Sequence, residues 1–239
     1  MNIDERLTVK INNFSSYGSG ISYIDTLTRS KIPLIISFIN TQGYNLANNS
    51  NDFFKSLNIS DVLLRDGTGA LIACKKFSKE PGVNFCGTDF IPILTKHFAK
   101  KNKRFAVFGS SKRVVKKFYD LYKFDLNISL YSDGFMSIDK YVNLIELNQD
   151  IDIVILGMGM PKQEILSRVL KRKIKRKLLI INGGAVIDYM SNSVMRAPKI
   201  MRFLGIEWLF RLIIEPRRLY RRYIFGNPKF IYRLLKAKQ

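Results

Sequence analysis

The sequence has little histidine, cysteine or acid, and it has no long apolar run. A single histidine, His97, excludes a zinc site built from several histidines and leaves only one candidate for a Ser-His-Asp triad. Two cysteines, Cys74 and Cys86, give neither a disulfide framework nor a metal cluster, and we interpret them as small buried thiols. The longest uncharged apolar stretch, residues 32–39, is far shorter than the ~20 residues of a membrane-spanning helix. Because residues 1–6 also lack the pattern of a secretion signal, we expect a soluble or peripheral protein.

The shortage of acidic residues leaves a large positive charge. The 239 residues include 40 Lys and Arg against 19 Asp and Glu, a formal net charge of +21. Hydrophobic residues make up 46% of the chain, which is enough for a full core. A chain of this charge is expected to meet an anionic partner, which can be a nucleic acid, an anionic lipid or a phosphorylated substrate.

Short apolar runs alternate with helical patterns along the first three quarters of the chain. Strands are predicted at residues 33–39, 61–64, 104–108, 128–131, 151–156 and 178–181, and helices at 41–57, 91–100, 112–122, 139–147 and after Pro161. In the helix at 112–122, one buried face is predicted from Val114, Val115, Phe118 and Leu121. The repetition of strand, glycine-rich turn and helix predicts a doubly wound α/β fold, with a mostly parallel sheet and helices on both faces.

Glycine-rich turns follow five of the predicted strands: DGTG, GSS, DG, GMGMP and NGG. Ligands of such folds bind beyond the carboxyl ends of the strands, so the turns predict one crevice whose backbone N–H groups receive phosphates. The turn residues assigned to this crevice are Gly67, Gly109, Asp133, Gly134, Gly157, Gly159 and Gly183. For each glycine taken alone, turn geometry is the simpler explanation.

The composition changes from Arg196 onward. Residues 196–239 hold 12 Lys and Arg and two acids, and aromatic and aliphatic residues interleave with this charge. Such a pattern predicts basic amphipathic helices that lie in an anionic lipid interface, and helices packed on the domain with a solvated basic face are the alternative. We therefore divide the chain into an α/β domain, residues 1–195, and an appendage, residues 196–239. Truncation after Asn192 is predicted to leave a soluble fold.

Two further charged segments are interpreted as lying outside the crevice. The basic cluster at residues 168–177 is typical of a solvated helix end, with an auxiliary lipid contact as the alternative. Asp150 and Asp152 have the spacing of a metal-binding acidic pair. They precede a strand, however, and so belong to the opposite edge of the sheet from the turns.

Several motifs resemble those of the WecG/TagA/CpsF glycosyltransferases. The longer matches are GMGMPKQE at 157–164, RAP at 196–198, GIEWLFRL at 205–212 and EPRR at 215–218. The shorter ones are Asn40 with Ala47, Asp66 with Gly67, and GTD at 87–89. The matches run in family order from about residue 33 to residue 230, and the C-terminal blocks are highly specific.

The resemblance implies a reaction. Family members transfer an N-acetylhexosamine, its uronate or in some cases glucose from a UDP donor to an undecaprenyl-diphosphate-linked sugar. The products feed teichoic acid, enterobacterial common antigen, capsule or exopolysaccharide. The transfer inverts the anomeric centre, and no metal or other cofactor is expected. The resemblance also implies a cytoplasmic enzyme that is peripheral on the inner face of the cell membrane, and it leaves a homo-oligomer open.

The matching positions suggest roles. Asp66 is implied as the base that takes the proton of the acceptor hydroxyl, and capping of the turn or the next helix is the alternative. Asn40 is assigned to the substrate. Gln163 and Glu164 suit sugar or uridine hydroxyls, and for Glu164 the alternative is a favourable acid in a helix's first turn. Arginines of the appendage are candidates for a diphosphate or the membrane, with a surface role left open for each: Arg196, Arg211, Arg217, Arg218 and Arg221.

Two departures from the family pattern put the donor sugar in question. Phe38 stands where members usually carry threonine, and Asn84 where many carry arginine. Both are predicted near the sugar pocket, so a degenerate, non-catalytic member is one alternative. A nucleic-acid-binding protein is another, although no RNP, KH or zinc-finger pattern is present. A dinucleotide-dependent oxidoreductase is a third, although GxGxxG is absent after the first strand.

Overall fold

The computed structural model describes residues 1–29 and 32–237, which form one parallel sheet wrapped by helices. The strands are β1 (Leu34–Ile39), β2 (Val62–Arg65), β3 (Phe105–Gly109), β4 (Ile128–Ser132), β5 (Ile153–Gly157) and β6 (Leu179–Asn182). Their order is β2-β1-β6-β5-β3-β4, and every neighbouring pair is parallel. Every strand except β4 is buried along its whole length, as expected for a sheet covered on both faces. The predicted doubly wound α/β fold is confirmed.

The described residues also form fourteen α-helices. They are α1 (Ile3–Val9), α2 (Tyr17–Leu27), α3 (Thr41–Asn49), α4 (Asn51–Asn58), α5 (Gly67–Lys76), α6 (Gly87–Ala99), α7 (Lys112–Tyr122), α8 (Ile138–Leu147), α9 (Lys162–Lys173), α10 (Val186–Met190), α11 (Lys199–Phe203), α12 (Glu207–Ile214), α13 (Pro216–Tyr220) and α14 (Gly226–Lys236). A π-helical turn, Arg221–Phe225, joins α13 to α14. Across residues 1–29 and 32–237, no helix is long and apolar enough to span a bilayer.

Two details of the predicted helices are wrong. The single helix predicted at 41–57 is two helices, because Ser50 has an extended backbone and its Oγ accepts from Phe53 N at 3.2 Å, which starts α4. The buried face of α7 is narrower than predicted. Val115 and Phe118 are buried, whereas Leu121 is exposed.

The C-terminal helix α14 packs into the core. Phe230 and Leu234 are buried in a cluster with Tyr44 and Phe53, and the rings of Phe230 and Tyr44 lie 5.1 Å apart. The boundary at 195/196 stays a prediction, but α14 shares a hydrophobic core with the α/β domain.

Polar contacts reinforce this packing. Arg233 Nε lies 3.0 Å from Asp4 Oδ2, and its Nη1 donates to Asn45 Oδ1 at 2.7 Å. Asp4 is buried and also accepts from Asn48 Nδ2 at 2.6 Å. The two ends of the chain are therefore joined through one buried carboxylate.

The basic cluster at 168–177 is only partly solvated. Arg168 pairs with Asp52 at 3.2 Å, Lys171 pairs with Asp61 at 2.5 Å, and Arg176 donates to main-chain carbonyls around α8. The solvated interpretation is therefore wrong for these three residues, which tie α9 and the segment after it to their neighbours.

The acidic pair lies at the amino end of β5, at the edge predicted from the sequence. Asp152 accepts from Lys103 Nζ at 2.9 Å, and Asp150 pairs with Arg104. His97 contacts a carboxylate of α2 at 3.4 Å. The side chains of Asp150, Asp152 and His97 therefore have partners that lie away from the turns that follow the strands.

Candidate active site

The predicted site residues gather at the carboxyl edge of the sheet in two groups. One group, built on the ends of β1 and β2, contains Asn40, Asp66 and Gly67. The other is built on the turns after β3, β4, β5 and β6, and contains Gly109, Asp133, Gly134, Gly157, Gly159, Gln163, Glu164 and Gly183. Because all six strands run in parallel, their carboxyl ends share one edge.

Asp66 is held beside β1 without capping a helix. Its N–H donates to Ile39 O at 2.9 Å, and Asn40 Nδ2 donates to its Oδ2 at 3.3 Å. Asn40 Oδ1 accepts from Gly43 N at 3.2 Å, which fixes the amide. Asp66 occupies the N-cap position of α5, but its side chain makes no capping hydrogen bond. The alternative that Asp66 caps the next helix is therefore wrong.

The surroundings of Asp66 make it a stronger base. Burial raises the pKa of Asp66 above its ordinary value, and the carboxylate of Glu207 raises it further. The hydrogen bond from Asn40 and the charges of Arg222 and Arg211 act in the opposite direction. Since a carboxylate with a raised pKa accepts a proton more readily, Asp66 suits general-base chemistry. Three of these neighbours belong to residues 196–239, so the appendage reaches the site.

An acid at the start of α6 holds the appendage. Arg196 Nη2 lies 2.6 Å from Asp89 Oδ2 and donates to Thr88 Oγ1 at 3.1 Å. Arg202 Nη1 lies 3.5 Å from the other oxygen of Asp89. The Arg196 guanidinium therefore contacts Asp89 and Thr88 of the GTD motif. A contact between Arg196 and a diphosphate stays a prediction.

The appendage also approaches the DGTG turn closely at Gly205. This residue has φ +71°, and a Cβ there would stand 2.7 Å from Thr68 Cγ2. A left-handed backbone and the lack of space both favour glycine. The GIEW motif therefore begins with a residue that fits the start of α12 against the first turn of α5.

We expect the ion pair between Asp89 and Arg196 to position the appendage. Asp89→Arg or Arg196→Asp alone should speed tryptic cleavage at Arg217 and Arg218 by about tenfold, because each change leaves two like charges facing each other. The double exchange should recover part of the resistance. Rates of cleavage, followed by mass spectrometry, measure the effect.

The control for this exchange is the exposed pair of Lys116 and Asp120 on α7, 2.8 Å apart. Reversing that pair should not change cleavage in the appendage. A double exchange at Asp89 and Arg196 that is cleaved as fast as the single variants would show that the pair does not position the appendage.

The second group is built on a close approach of two strands. Gly109 in β3 lies beside Gly157 in β5, and a Cβ on Gly109, at φ +154°, would stand 2.3 Å from Gly157 O. Ser110 follows, and its Oγ donates to Asp188 Oδ1 of α10 at 2.6 Å. The two glycines are therefore required by packing, and Ser110 and Asp188 are site residues that the sequence did not indicate.

The turn after β4 is fixed by a lysine of the GMGMPKQE motif. Lys162 Nζ donates to Gly134 O at 2.8 Å and to Met136 O at 2.7 Å. Asp133 Oδ1 accepts from Phe135 N at 2.9 Å. Asp133 and Gly134 thus lie where the sequence placed them, and their polar groups shape this turn.

The buried side chain of Gln163 links the turn after β5 to the turn after β6, and Glu164 is hydrogen-bonded to it. Gln163 is 2% exposed, and its Oε1 accepts from Gly159 N at 3.1 Å and from Gly184 N at 3.0 Å. Its Nε2 donates to Glu164 Oε1 at 2.8 Å. Glu164 is fully buried, and burial raises its pKa to about 7. Neither polar group lies at the surface of the crevice, so a contact with substrate hydroxyls gains no support.

The glycines of these turns do not supply the predicted cradle of free backbone N–H groups at the five positions where the structure gives their partners. The N–H groups of five turn glycines already have acceptors within the protein: Gly67, Gly134, Gly159, Gly183 and Gly184. A diphosphate at this edge would therefore rely on arginine side chains rather than on these groups.

Comparison with known proteins decides the family. A model of the "Glycosyl transferase WecG/TagA/CpsF family" matches residues 5–239. The chain belongs to this family. The resemblance found in the motifs is confirmed, and the nucleic-acid-binding and oxidoreductase alternatives gain no support.

Three relatives share one printed name, N-acetylglucosaminyldiphosphoundecaprenol N-acetyl-beta-D-mannosaminyltransferase. The protein of Bacillus subtilis (strain 168) is 29% identical, over 97% of this chain and 93% of its own length. That of Bacillus spizizenii is 26% identical, over 94% and 88%. That of Staphylococcus aureus (strain MRSA252) is 26% identical, over 86% and 81%.

The two departures from the family pattern have different positions. Asn84 lies at the rim, where its Oδ1 accepts from Gly67 N at 2.8 Å, directly after Asp66. Phe38 is buried in the core and packs against Phe90, with 6.4 Å between the ring centroids. Asn84 is therefore the departure that touches the DG motif.

The remaining arginines of the family's C-terminal block differ in exposure. Arg211 is half-buried, and its guanidinium lies 5.8 Å from the centre of the Tyr189 ring. The other three are exposed, and one of them pairs with Glu215: Arg217, Arg218 and Arg221. A role in binding diphosphate or membrane stays a prediction for all four.

Several residues near Asp66 were not predicted as site residues. They are Tyr17, Cys86, Glu207 and Arg222. Burial raises the pKa of the free, half-buried Cys86 to about 12, with the carboxylate of Asp66 adding to the effect, so this thiol is not a reactive one. A helical spacing of four between Arg218 and Arg222 is the signal that could have indicated Arg222.

Glu164 should make stability depend on pH. Its pKa is about 7 when folded and close to 4.5 otherwise, so the folded state binds the proton more tightly. Its contribution is fully present below pH 4.5 and is lost as pH rises through about 7, roughly 3 kcal/mol in all. Glu164→Gln lacks this loss. Urea denaturation at about pH 5 and about pH 8 should show the variant gaining on the wild type as pH rises. A constant difference would contradict the raised pKa.

Proposed function

We propose that this protein transfers an N-acetylhexosaminyl group from a UDP donor to an undecaprenyl-diphosphate-linked sugar, with inversion of the anomeric carbon. Asp66 carries the proposal, because this carboxylate is held by Asn40 at the carboxyl edge of the sheet, has a raised pKa and caps no helix. The names of the relatives favour N-acetylmannosamine as the donor sugar and N-acetylglucosamine as the acceptor sugar.

The chemistry assigned to Asp66 is a proton transfer. The acceptor hydroxyl attacks the anomeric carbon from the face opposite UDP and gives its proton to the carboxylate. The bond between the sugar and UDP breaks, and the diphosphate leaves with the bonding electrons. We assign the stabilisation of the leaving diphosphate to Arg222 and Arg211, because the charges of both act on Asp66. No metal is included in this proposal.

The proposal includes attachment to the inner face of the cell membrane through the appendage. Apolar side chains of the appendage are exposed next to its arginines, among them Ile213 at 69% and Phe225 at 60%. Apolar groups that insert and cations that meet anionic headgroups together give reversible binding.

A panel of donors tests the transfer. UDP-linked N-acetylmannosamine, N-acetylglucosamine, N-acetylmannosaminuronate and glucose are each offered with a short-chain lipid diphosphate that carries N-acetylglucosamine. We expect one N-acetylhexosamine donor to be used, an inverted anomeric configuration by NMR, and no loss of rate in EDTA. Transfer of glucose alone would move the proposal to a hexosyl donor. No transfer from any donor would refute it.

Vesicle flotation tests the attachment. The protein should float with phosphatidylglycerol vesicles and not with phosphatidylcholine vesicles, and Ile213→Ser with Phe225→Ser should weaken binding about tenfold or more, because both remove inserted apolar area. Phe124→Ser is the control, since Phe124 is 89% exposed on the α/β domain. Equal losses of vesicle binding in the double variant and in Phe124→Ser would contradict a role for the appendage. A wild-type protein that prefers DNA to vesicles would favour the nucleic-acid alternative.

A further inference from the structure

We propose that Glu164 is a positioning residue, whose buried carboxyl group orients the Gln163 amide so that this amide holds the turns after β5 and β6 in place for the UDP donor. The orientation of the amide is independent of the proposed function, whereas the effect on the donor rests on it.

The Gln163 amide has one orientation that satisfies all its partners. Its Oε1 receives two N–H groups, Gly159 N at 3.1 Å and Gly184 N at 3.0 Å. A reversed amide would turn its NH₂ group toward these two donors. In the observed orientation the buried Nε2 needs an acceptor, and Glu164 Oε1 provides it at 2.8 Å. Without that acceptor, a buried donor would be left unpaired, which favours another side-chain conformation.

The two turns that Gln163 joins line the second group of site residues. Gly159 follows β5, and Gly184 leads directly into α10, whose Asp188 accepts from Ser110 Oγ after β3 at 2.6 Å. The Gln163 amide is therefore the first link of a chain of contacts that spans the ends of three strands. Loss of its bond to Gly184 would free the start of α10 and with it the contact to Ser110.

The carboxyl group fits this place because the pocket has more acceptors than donors. Glu164 Oε2 and Asn182 Oδ1 are buried and have no hydrogen-bond partner within residues 1–29 and 32–237. Asn182 Nδ2 is already used, by Ser37 Oγ at 2.8 Å and Ser167 Oγ at 3.2 Å. When Glu164 is protonated, its carboxyl group supplies a hydrogen-bond donor next to these unpaired acceptors. Among the described residues, no charged side chain contributes to the shift, so burial is what raises the pKa of Glu164.

Two substitutions of Glu164 distinguish a role in hydrogen bonding to Gln163 from a role in filling buried volume. Glu164→Gln keeps both an acceptor for Gln163 and a donor, whereas Glu164→Met keeps the length and the burial but offers neither. In the full chain with ¹⁵N-labelled glycine, we expect Glu164→Met to speed hydrogen exchange at Gly159 and Gly184 by about tenfold or more, and Glu164→Gln to stay within about threefold of the wild type. The amide of Gly20 in α2, which donates to Ser16 O at 3.3 Å and lies outside this chain of contacts, is the internal control.

Donor binding is measured on the same proteins with UDP. Glu164→Met should weaken UDP binding by about tenfold and raise the donor KM more than it lowers kcat, and Glu164→Gln should restore both. Wild-type exchange at Gly159 and Gly184 in Glu164→Met would overturn the proposal, and so would equally faster exchange at Gly20. Unchanged UDP affinity in a variant with faster exchange at Gly159 and Gly184 would overturn the proposed effect of the amide on donor binding.

A variant of the amide itself covers the case in which Glu164→Met does not fold. Gln163→Met must speed exchange at Gly159 and Gly184 in the same way, and unchanged exchange would refute the assignment. A wild-type protein that binds no UDP, but in which the glycine results come out as expected, would refute the proposed function and leave the orientation of the amide standing.

Discussion

Asp66→Asn should lower kcat about 10²–10⁴-fold, which is the range that a general base contributes. The asparagine has the shape of the aspartate and can still accept from Asn40, but it cannot take the acceptor proton. Because the Asp66 side chain caps no helix and burial raises its pKa, removing the charge should leave the unfolding midpoint unchanged or higher. Initial rates with saturating donor and acceptor, together with circular dichroism and thermal unfolding, measure both effects.

The matched control is Asp133→Asn, which changes another carboxylate at the same edge of the sheet. Asp133 Oδ1 accepts from Phe135 N, and an asparagine oxygen can do the same, so we expect a loss of less than about tenfold. In the wild type, the rate should fall as pH drops below the raised pKa of Asp66. Asp66→Asn at the wild-type rate would remove the base from the mechanism. A wild type that binds UDP and transfers nothing would instead favour the degenerate member of the family.

The strands and the location of the site could be predicted from local patterns. Each observed strand begins within two residues of its predicted position. For the five strands other than β4, the reason is that fully buried parallel strands are continuous apolar runs. The residues after such strands must share one edge of the sheet. The strand pattern therefore predicts that Asp66 and the glycine-rich turns lie together at that edge.

The partners of the polar groups could not be predicted in this way. Gln163 reads as a residue exposed to a ligand, and only the packing of α9 shows that its amide binds Gly159 and Gly184. The contact of Arg196 with Asp89 joins residues more than a hundred positions apart, so no periodicity reveals it. Arg168, in the basic cluster, has an acidic partner on α4 for the same reason.

The packing of α14 was likewise not predictable from local patterns, and it reverses the expected effect of truncating the appendage. Truncation after Asn192 removes α14, and with it the buried side chains of Phe230 and Leu234. It also leaves the buried carboxylate of Asp4 without Arg233. Losing an aromatic and an aliphatic core residue costs roughly 5–10 kcal/mol, and most domains have only about 5–15 kcal/mol of stability. We therefore expect the fragment to be unfolded or aggregated, as measured by circular dichroism and size-exclusion chromatography.

Two neighbouring leucines of α14 provide the matched test. Leu234 is 3% exposed and Leu235 is 75% exposed, so one substitution probes both environments on the same helix. Leu234→Ala should lower the free energy of unfolding by about 2–5 kcal/mol, whereas Leu235→Ala should change it by less than about 0.5 kcal/mol. Equal effects, together with a folded and soluble fragment 1–192, would show that residues 196–239 are an independent unit, as their composition first indicated. Unequal effects of the expected size would mean that the basic segment cannot be removed to study membrane attachment, which must instead be probed by exposed substitutions such as Ile213→Ser and Phe225→Ser.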